Sequence, residues 1–480
     1  MHYSFGWIAR SLAIAVGILA AAVAVAADRQ PNIVVIIADD LGYGELGCYG
    51  GNEIPTPQMD GLASGGARFT DGYVTAPFCA ASRAAIMAGR YQTRFGFEFN
   101  PIGAENAAQG IGIPQDETLL PSLIQSAGYA TGLIGKWHLG GTAPFHPQRR
   151  GFDEFFGFLH EGHFFVPPPY DGATTWLRRK AIPGGGKGRW TSANGRTIWS
   201  TDMGHSEPPY DTDNPVMRSS QPVNETENLT DAFTREACDF IDRHADQPFF
   251  LCLAYNAVHS PLQGEDEYME RFSHIEDVQR RIFAAMLAHL DDSIGRVLAS
   301  IEAAGATENT LVLFLSDNGG PTKELTSSNA PLRGGKGMVY EGGVRIPMIA
   351  SWPGKISPQV VSTPVTSMDL HATACRAANV DMAQHKGMGD RDGSNLIPLL
   401  TRSDASSFAQ RPIFWRVGDR HAIRYQQWKL VRRRGDWELY DLSSDISESV
   451  DLADTNPDKV RELAKRWRDW NAQQVEPLWR

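Results

Sequence analysis

The chain is poor in cysteine and in positive charge, and these two shortages narrow the classes of protein it can belong to. Five cysteines in 480 residues are too few for a disulfide scaffold, and no two of them have Cys-x-x-Cys spacing. The formal net charge is -11, and no polybasic cluster stands out. We therefore expect no nucleic acid partner.

Internal repeats are also missing, and only one stretch of the sequence is both long and apolar. Arg10 precedes an apolar run over 12–26 that ends in Ala24-Val25-Ala26. A charged start, an apolar middle and small residues at the end are typical of a cleaved signal peptide. An uncleaved anchor is the alternative, although the run is short for a membrane span. We expect a signal peptide over 1–26, a periplasmic or secreted protein, and no stable membrane span.

The remaining composition is that of a soluble globular protein. Apolar residues make up 42% of the chain and charged residues 21%, which separates it from disordered chains. Short β-branched runs alternate with helical patterns, which predicts an α/β fold with a large doubly wound, mainly parallel sheet. After Leu400, short alternating stretches predict an antiparallel meander and then a helix over about 458–473. We predict a main domain over 27–385 and a smaller C-terminal α+β subdomain over 386–480.

Two regions look exposed in the sequence. Segment 144–222 is rich in proline, glycine and aromatic residues, and its lack of long periodic elements predicts surface loops. For His160 and His163, within an aromatic run of that segment, we favour a structural role over a pocket-lining one. The helix predicted over 282–301 carries the pair Asp291-Asp292, which we interpret as part of its solvated face.

Polar side chains follow several buried strands at the point where each strand ends. The apolar run 33–38 leads into two aspartates, and the run 310–315 leads into another acidic turn. Because the carboxyl ends of parallel strands gather at one edge of a sheet, these groups should meet there. Solvated turns and surface residues are the alternative for each segment taken alone. The candidate residues of this edge are Asp39, Asp40, Lys136, His138, His259, Asp317, Asn318 and Lys336.

These residue types fit one kind of chemistry. Three carboxylates and an amide oxygen form a hard ligand set that selects Ca²⁺ or Mg²⁺ over zinc. The two lysines, with Arg83, would neutralise a bound oxyanion and the charge that develops on it. The two histidines would supply an acid and a base. This combination of carboxylates, cations and histidines predicts an enzyme that transfers a sulfuryl or phosphoryl group.

One cysteine stands apart from the other four. Cys79 opens an alanine-rich run, Cys79-Ala80-Ala81-Ser82-Arg83, and the start of a helix favours an anion. We expect such a cysteine to ionise more easily than one in a core. A buried cysteine in an ordinary core helix is the alternative. An odd count in an exported protein leaves at least one thiol unpaired. Cys79 is the candidate for it, and pairing stays open among Cys48, Cys238, Cys252 and Cys375.

Together these motifs resemble a known family. The chain is similar to the type I, formylglycine-dependent sulfatases, the arylsulfatase group of the alkaline phosphatase superfamily, over nearly all of the sequence after residue 26. The Cys-x-Pro/Ala-Ser-Arg run with a downstream Gly-Arg is the most specific match. The motifs that carry the resemblance are 38–44, 79–90, 135–138, 255–259, 316–319, and 334–336 with 341–343.

The resemblance implies that a maturation enzyme oxidises Cys79 to formylglycine (3-oxoalanine) before the protein folds. One hydroxyl of the hydrated aldehyde would attack sulfur, the sugar or aryl oxygen would leave, and deprotonation of the other hydroxyl would release sulfate. By position, the metal ligands would be Asp39, Asp40, Asp317, Asn318 and the modified Cys79. Likewise by position, Arg83 would steady the hydrate, Lys136 and Lys336 would hold the sulfate, His259 would protonate the leaving group, and His138 would help take the proton from the hydrate.

The family resemblance sets our expectation of function and leaves two rivals. We expect a sulfuric ester hydrolase acting on a sulfated polysaccharide or oligosaccharide, with Ca²⁺ as the metal and Mg²⁺ as the alternative. An aryl sulfate would be a convenient test substrate. One rival is a phosphatase or phosphodiesterase of the same superfamily, in which a Ser or Thr nucleophile would be expected. The other is a secreted, non-catalytic glycan-binding protein. Ala81 stands where proline is the commoner residue, which leaves the maturation enzyme open.

Overall fold

The computed structural model describes residues 30–208, 210–381, 385, 391–402, 404–406, 408 and 410–479. The signal peptide predicted over 1–26 lies outside these residues. Among the described residues, no helix combines the length and the apolar character needed to cross a membrane. All five cysteines are in the described part of the chain, and all are free thiols.

Strands and helices alternate along most of the chain, as the short apolar runs predict. The strands are β1 (Asn32–Ala38), β2 (Ala67–Phe69), β3 (Gly72–Tyr73), β4 (Ala130–Lys136), β5 (Glu154–Phe158), β6 (Ala173–Arg178), β7 (Arg189–Thr191), β8 (Thr197–Ser200), β9 (Met217–Arg218), β10 (Gln221–Pro222), β11 (Phe249–Ala254), β12 (Leu262–Glu265), β13 (Thr310–Ser316), β14 (Met348–Ser351), β15 (Gln359–Val361), β16 (Val365–Thr366), β17 (Ile413–Val417), β18 (Arg420–Tyr425), β19 (Trp428–Arg433) and β20 (Trp437–Asp441). The α-helices are α1 (Pro57–Ser64), α2 (Cys79–Ala88), α3 (Leu120–Ser126), α4 (Tyr210–Asp213), α5 (Leu229–Arg243), α6 (Asp266–Arg271), α7 (Val278–Ala303), α8 (Thr322–Leu325), α9 (Glu341–Val344), α10 (Met368–Ala377), α11 (Ile397–Arg402) and α12 (Pro457–Asn471).

β1 lies in the middle of a ten-stranded sheet with the order β10-β9-β5-β4-β11-β1-β13-β14-β2-β15. The strands from β5 to β13 in this order run parallel, so their carboxyl ends share one edge. Val35 of β1 lies opposite Cys252 of β11 on one side and Leu313 of β13 on the other. β14 runs antiparallel to β13 and closes the parallel part of the sheet.

Successive residues of β1 pack into two different cores, one on each face of the sheet. Ile33 and Val35 pack in the core that contains α2, α3 and α10. Val34 and Ile36 pack in the core that contains α5 and α7. Because alternate residues of a strand point to opposite faces, a strand that is apolar at every position must be covered on both. The predicted doubly wound α/β fold is confirmed.

Segment 144–222 contains short strands in addition to the surface loops that its composition predicts. It contains β5 of the central sheet, and its strands β6, β7 and β8 join β12 in a separate four-stranded sheet. The prediction misses these strands because strands this short, separated by glycine and proline turns, show no clear period. His160 and His163 are both buried, and Nδ1 of His163 lies 2.8 Å from the carbonyl oxygen of Phe164.

The predicted antiparallel meander is present near the C-terminus, with the strand order β17-β18-β19-β20. α12 covers one face of it, and Leu463 and Trp467 share a core with Ile423, Leu430 and Leu439. The confirmed architecture is therefore a large mainly parallel sheet with a small separate antiparallel one. The boundary near residue 385 stays a prediction.

Asp291 is not on a solvated face, contrary to the interpretation of its sequence. It is 1% exposed and accepts hydrogen bonds from the backbone N–H groups of Gln58 (3.0 Å) and Met59 (2.9 Å), in the first turn of α1. Burial raises the pKa of Asp291 to about 6, although these two hydrogen bonds oppose the shift. Asp292 instead pairs with Arg271 at the surface. Adjacent aspartates look alike in the sequence, and only the contact with α1 distinguishes them.

Asp291→Ala should therefore lower the free energy of unfolding by about 2–4 kcal/mol, because it leaves two buried N–H groups without an acceptor. Asp292→Ala is the matched control and should change it by less than about 0.5 kcal/mol. Urea denaturation followed by circular dichroism measures both. Equal losses for the two variants would contradict the capping role of Asp291.

Candidate active site

The polar ends of four parallel strands meet at one edge of the central sheet. Asp39 follows β1, which lies between β11 and β13, and Asp317 follows β13. Lys136 is the last residue of β4, and His259 lies in the loop after β11. The topology alone thus delivers carboxylates, an ammonium group and an imidazole to one place.

Hydrogen bonds between the neighbouring loops fix the acidic turn after β1. The backbone N–H of Asp40 donates to Oδ1 of Asp317 at 3.2 Å, and Asp40 has a φ of 64°. The backbone N–H of Asp39 donates to the carbonyl of Ala257, and that of Asp317 donates to the carbonyl of Ala38. A left-handed conformation at a non-glycine residue persists only where the surroundings hold it. The turn therefore holds the Asp40 side chain in a fixed position.

Each of the three buried carboxylates pairs with a cation of its own. All six side chains are held away from solvent, and only Lys336 keeps a side-chain exposure as large as 16%. Partnered charges are the form in which ionised groups can be buried. The pairs are Lys136 with Asp39 (Nζ–Oδ2, 2.6 Å), Lys336 with Asp40 (Nζ–Oδ2, 2.8 Å) and Arg83 with Asp317 (Nη2–Oδ2, 2.8 Å).

The three carboxylates still repel one another, although a cation faces each of them. Burial works to raise the pKa of Asp39, but Lys136 and other nearby cations outweigh it and hold that pKa well below its usual range. For Asp40, burial prevails together with the two neighbouring carboxylates, and the pKa rises to about 7 although Lys336 opposes the shift. A further cation among the carboxylates would relieve this repulsion.

The residues present fit a divalent metal ion. One oxygen each from Asp39, Asp40 and Asp317 and the Sγ of Cys79 all lie within 4.8 Å of one another. Asn318 donates from Nδ2 to Oδ1 of Asp40 at 2.6 Å, while its own Oδ1 is buried and has no hydrogen-bond partner among the described residues. Carboxylate and amide oxygens are the ligands that Ca²⁺ and Mg²⁺ prefer. The orphaned Asn318 oxygen is explained if it too is a ligand.

Cys79 is the first residue of α2 and points at the acidic cluster. Its Sγ lies 3.5 Å from Oδ1 of Asp39 and 3.9 Å from Oδ1 of Asp40. Burial raises the pKa of this thiol, with the aspartates adding to the shift and Lys136 opposing it. The expectation of an easily ionised cysteine is therefore wrong for the unmodified residue, because burial beside carboxylates outweighs the helix terminus.

His259 lies beside Asp40 and opens onto the cleft. Its Nε2 is 3.6 Å from Oδ2 of Asp40, and its Nδ1 is 2.6 Å from the carbonyl oxygen of Ser260. That carbonyl can only accept, so Nδ1 carries a proton and Nε2 faces the site. Burial lowers the pKa of His259 to about 3, with Lys336 adding to the shift and Asp39 opposing it.

His138 is fully buried, two residues after Lys136 at the end of β4. Its Nε2 lies 3.0 Å from the carbonyl oxygen of Pro101, so Nε2 donates, and its Nδ1 has no partner among the described residues. Burial, reinforced by Lys136, holds the pKa of His138 well below its usual range. The geometry leaves a neutral imidazole with a free lone pair on Nδ1.

A cleft of about 490 Å³ leads from solvent to His259 and Lys336. Two of its lining residues, Arg178 and Glu324, were not found by sequence reasoning. Arg178 ends β6, within the segment taken for loops, and Glu324 belongs to the four-residue helix α8. Neither has a local motif, and only the fold brings them to the site.

The C-terminal sheet holds the glycine-rich loop that carries Lys336. Nζ of Lys429 in β19 lies 2.7 Å from Oε1 of Glu341, and the backbone N–H of Glu341 donates to Oε2 of Glu448 at 2.7 Å. Arg420 of β18 donates to the carbonyl oxygen of Gly337, next to Lys336. The C-terminal antiparallel sheet therefore anchors the loop from which Lys336 reaches Asp40.

Comparison with known families identifies the fold and the chemistry. The family model described as Sulfatase matches residues 31–380, and the model described as N-sulphoglucosamine sulphohydrolase, C-terminal, matches 335–473. The chain belongs to the sulfatase family. It is a type I sulfatase of the alkaline phosphatase superfamily, and hence a sulfuric ester hydrolase. Members of this family generally use formylglycine and a divalent metal.

Individual relatives agree with this assignment. N-acetylgalactosamine-6-sulfatase from Homo sapiens is 36% identical to the sulfatase over 402 residues, covering 82% of this chain and 69% of the relative. Arylsulfatase D from Homo sapiens is 32% identical over 447 residues, covering 83% and 73%. The crystal structure of Ps i-CgsB superposes with a TM-score of 0.81 at 33% identity and covers 94% of this chain and 95% of that one. The rival assignment to a phosphatase or phosphodiesterase is not favoured.

Asp40→Asn should weaken binding of the divalent metal ion by about 100-fold or more, because it removes one carboxylate while keeping its size. Metal content after dialysis, measured by inductively coupled plasma mass spectrometry, and calcium titration calorimetry report the change. Asp231→Asn is the control, since Asp231 belongs to a different acidic cluster with Glu265 and His289. Unchanged metal content in Asp40→Asn, or a loss only in Asp231→Asn, would contradict the assignment of the site.

Proposed function

We propose that this sulfatase hydrolyses sulfate esters of a sulfated polysaccharide or oligosaccharide, using formylglycine made from Cys79 and a bound Ca²⁺, with Mg²⁺ as the alternative. The observation that carries the proposal is the contact of Cys79 with the buried acidic cluster, at 3.5 Å from Asp39. A carbohydrate substrate is supported by the name of N-acetylgalactosamine-6-sulfatase and by the structure of Ps i-CgsB in complex with k-i-k-neocarrahexaose.

In this proposal, Cys79 must be oxidised before the chain folds. The residue is 1% exposed in the folded chain, so a maturation enzyme could not reach it there. We infer that the enzyme acts on the unfolded or nascent chain. Early oxidation of Cys79 also fits export through a signal peptide over 1–26, to the periplasm or to the medium. Cys79 would then be oxidised before or during export.

The cations of the site would bind the sulfate group. When present, the hydrated aldehyde would supply one hydroxyl that attacks sulfur and a second whose deprotonation releases sulfate, while the metal would act as a Lewis acid. Of the three cations that face the carboxylates, Lys336 lines the cleft, and its ammonium group has three donors, so it can hold Asp40 and a sulfate oxygen together. Lys136 is fully buried behind it and Arg83 is fixed by Asp317. Both would stabilise negative charge on residue 79 and on the transferring group.

The two histidines would move the protons. His259 faces the cleft with Nε2, where protonation would let it donate to the leaving oxygen, and a bound sulfate ester would favour that protonation by adding negative charge. His138 offers an unpartnered Nδ1 lone pair in a buried position, which suits a group that helps take the proton from the hydrate. In this assignment, one imidazole donates a proton and the other accepts one.

The central test is release of inorganic sulfate. Cys79→Ala and Cys79→Ser should each lower kcat/KM for 4-nitrophenyl sulfate by at least about 10³-fold, since neither side chain has two hydroxyls on one carbon. Cys375→Ala, at another buried free thiol, is the matched control and should retain most of the activity. Full activity in Cys79→Ser, or faster release of phosphate than of sulfate from matched esters, would contradict the proposal.

A further inference from the structure

The cleft above the reaction centre carries more negative than positive side chains. Three glutamates line it, while its cations are Lys336 and Arg178. Lys336 already pairs with Asp40 at the floor of the cleft. Arg178 already pairs with two carboxylates, one on each side of it. Beyond the floor, therefore, no lining cation is left unpaired among the described residues. The cleft glutamates are Glu105, Glu161 and Glu324.

Glu324 is the cleft glutamate that hydrogen-bonds the residue next to His259. Its Oε1 accepts hydrogen bonds from Oγ of Ser260 at 2.7 Å and from the guanidinium of Arg178. Ser260 also accepts, at its carbonyl, the hydrogen bond from Nδ1 of His259. Glu324 is thus joined through one residue to the histidine that faces the leaving oxygen.

The second oxygen of Glu324 is available to a ligand. No hydrogen bond to its Oε2 is made by any residue the structure describes, and the side chain keeps 14% exposure in the cleft. Burial opposes the charge of Glu324, but Arg178 and Lys336 outweigh it and lower its pKa to about 2. An ionised carboxylate is an acceptor only, and a sugar hydroxyl is a matching donor.

The other two glutamates are fixed as well. Glu161 accepts from the backbone N–H of Gly103 at 2.8 Å and from Nδ2 of Asn106 at 2.7 Å. Glu105 at the rim accepts from the backbone N–H of Ile102. A second sulfate or a uronate carboxylate in this cleft would meet fixed carboxylates rather than free cations, and like charges brought together oppose binding.

We propose that this sulfatase selects a sugar that is uncharged apart from the sulfate ester being cleaved, and that Glu324 accepts a hydrogen bond from a hydroxyl close to that ester. The inference rests on the proposed function, because it takes the cleft to be the substrate site. A site that hydrogen-bonds a particular hydroxyl strongly disfavours analogues in which that hydroxyl is missing or sulfated.

The first test compares substrates for the aldehyde-bearing, metal-loaded protein. Monosulfated galactose and N-acetylgalactosamine isomers are each compared with the counterpart that carries a second sulfate, by kcat/KM for sulfate release. We expect the best monosulfated sugar to exceed its disulfated counterpart by about tenfold or more. Preference for the disulfated sugar, or turnover of aryl sulfates alone, overturns this inference and leaves sulfate ester hydrolysis standing. Absence of turnover on every sulfate ester overturns the proposed function itself.

The second test assigns the preference to Glu324. Glu324→Gln keeps an acceptor for Ser260 but removes the charge, so the ratio of kcat/KM between the monosulfated and disulfated sugars should fall by about tenfold, mainly through KM. Glu236→Gln is the control, since Glu236 is likewise paired with arginine but lies outside the cleft. An equal loss on both sugars in Glu324→Gln, with the ratio kept, would mean a structural role only and would contradict the inference.

Discussion

Three carboxylates are buried at one point of this protein, and the arrangement around them follows from the cost of burying like charges together. Asp39, Asp40 and Asp317 can share the end of two adjacent strands only because a cation faces each of them. Burial and the two neighbouring carboxylates still raise the pKa of Asp40 to about 7, although Lys336 opposes the shift. Clustered carboxylates of this kind favour a bound metal ion, and the cations beside them favour an anionic group.

The fold supplies these charges from distant parts of the chain. β1 lies between β11 and β13, so the loops after these strands are neighbours whatever their separation in sequence. α2 presents Cys79 and Arg83 from one face of the sheet, and the C-terminal meander anchors the loop of Lys336 through Lys429 and Glu341. The C-terminal antiparallel sheet thus holds the loop of Lys336, a candidate sulfate-binding residue. Substitutions in that sheet should therefore lower activity even though the sheet does not contact the reacting groups.

Much of this could be predicted from the sequence, because buried parallel strands and the polar residues that end them have clear patterns. The strand before Asp39 and the strand before Asp317 were expected, and the structure places both sets of side chains at one edge. The resemblance to sulfatases rested on the same motifs and is confirmed by the family match over 31–380.

What escaped prediction depends on contacts between elements. Asp291 caps a helix that is distant in sequence. Glu324 is held in the cleft by hydrogen bonds from Ser260 and Arg178. The pKa of Cys79 was misjudged because the position of a residue at a helix start does not reveal the carboxylates packed against it. The short strands of 144–222 show no clear period, yet Glu161, Arg178 and His205 of this segment line the cleft.

The account depends most directly on what residue 79 is in the active protein. Peptide mass spectrometry across Cys79, on enzyme whose sulfate release has been measured in the same sample, tests this. We predict an aldehyde at residue 79, in a fraction that rises and falls with specific activity across preparations. Full activity in a preparation whose peptide carries only the unmodified thiol would contradict the account.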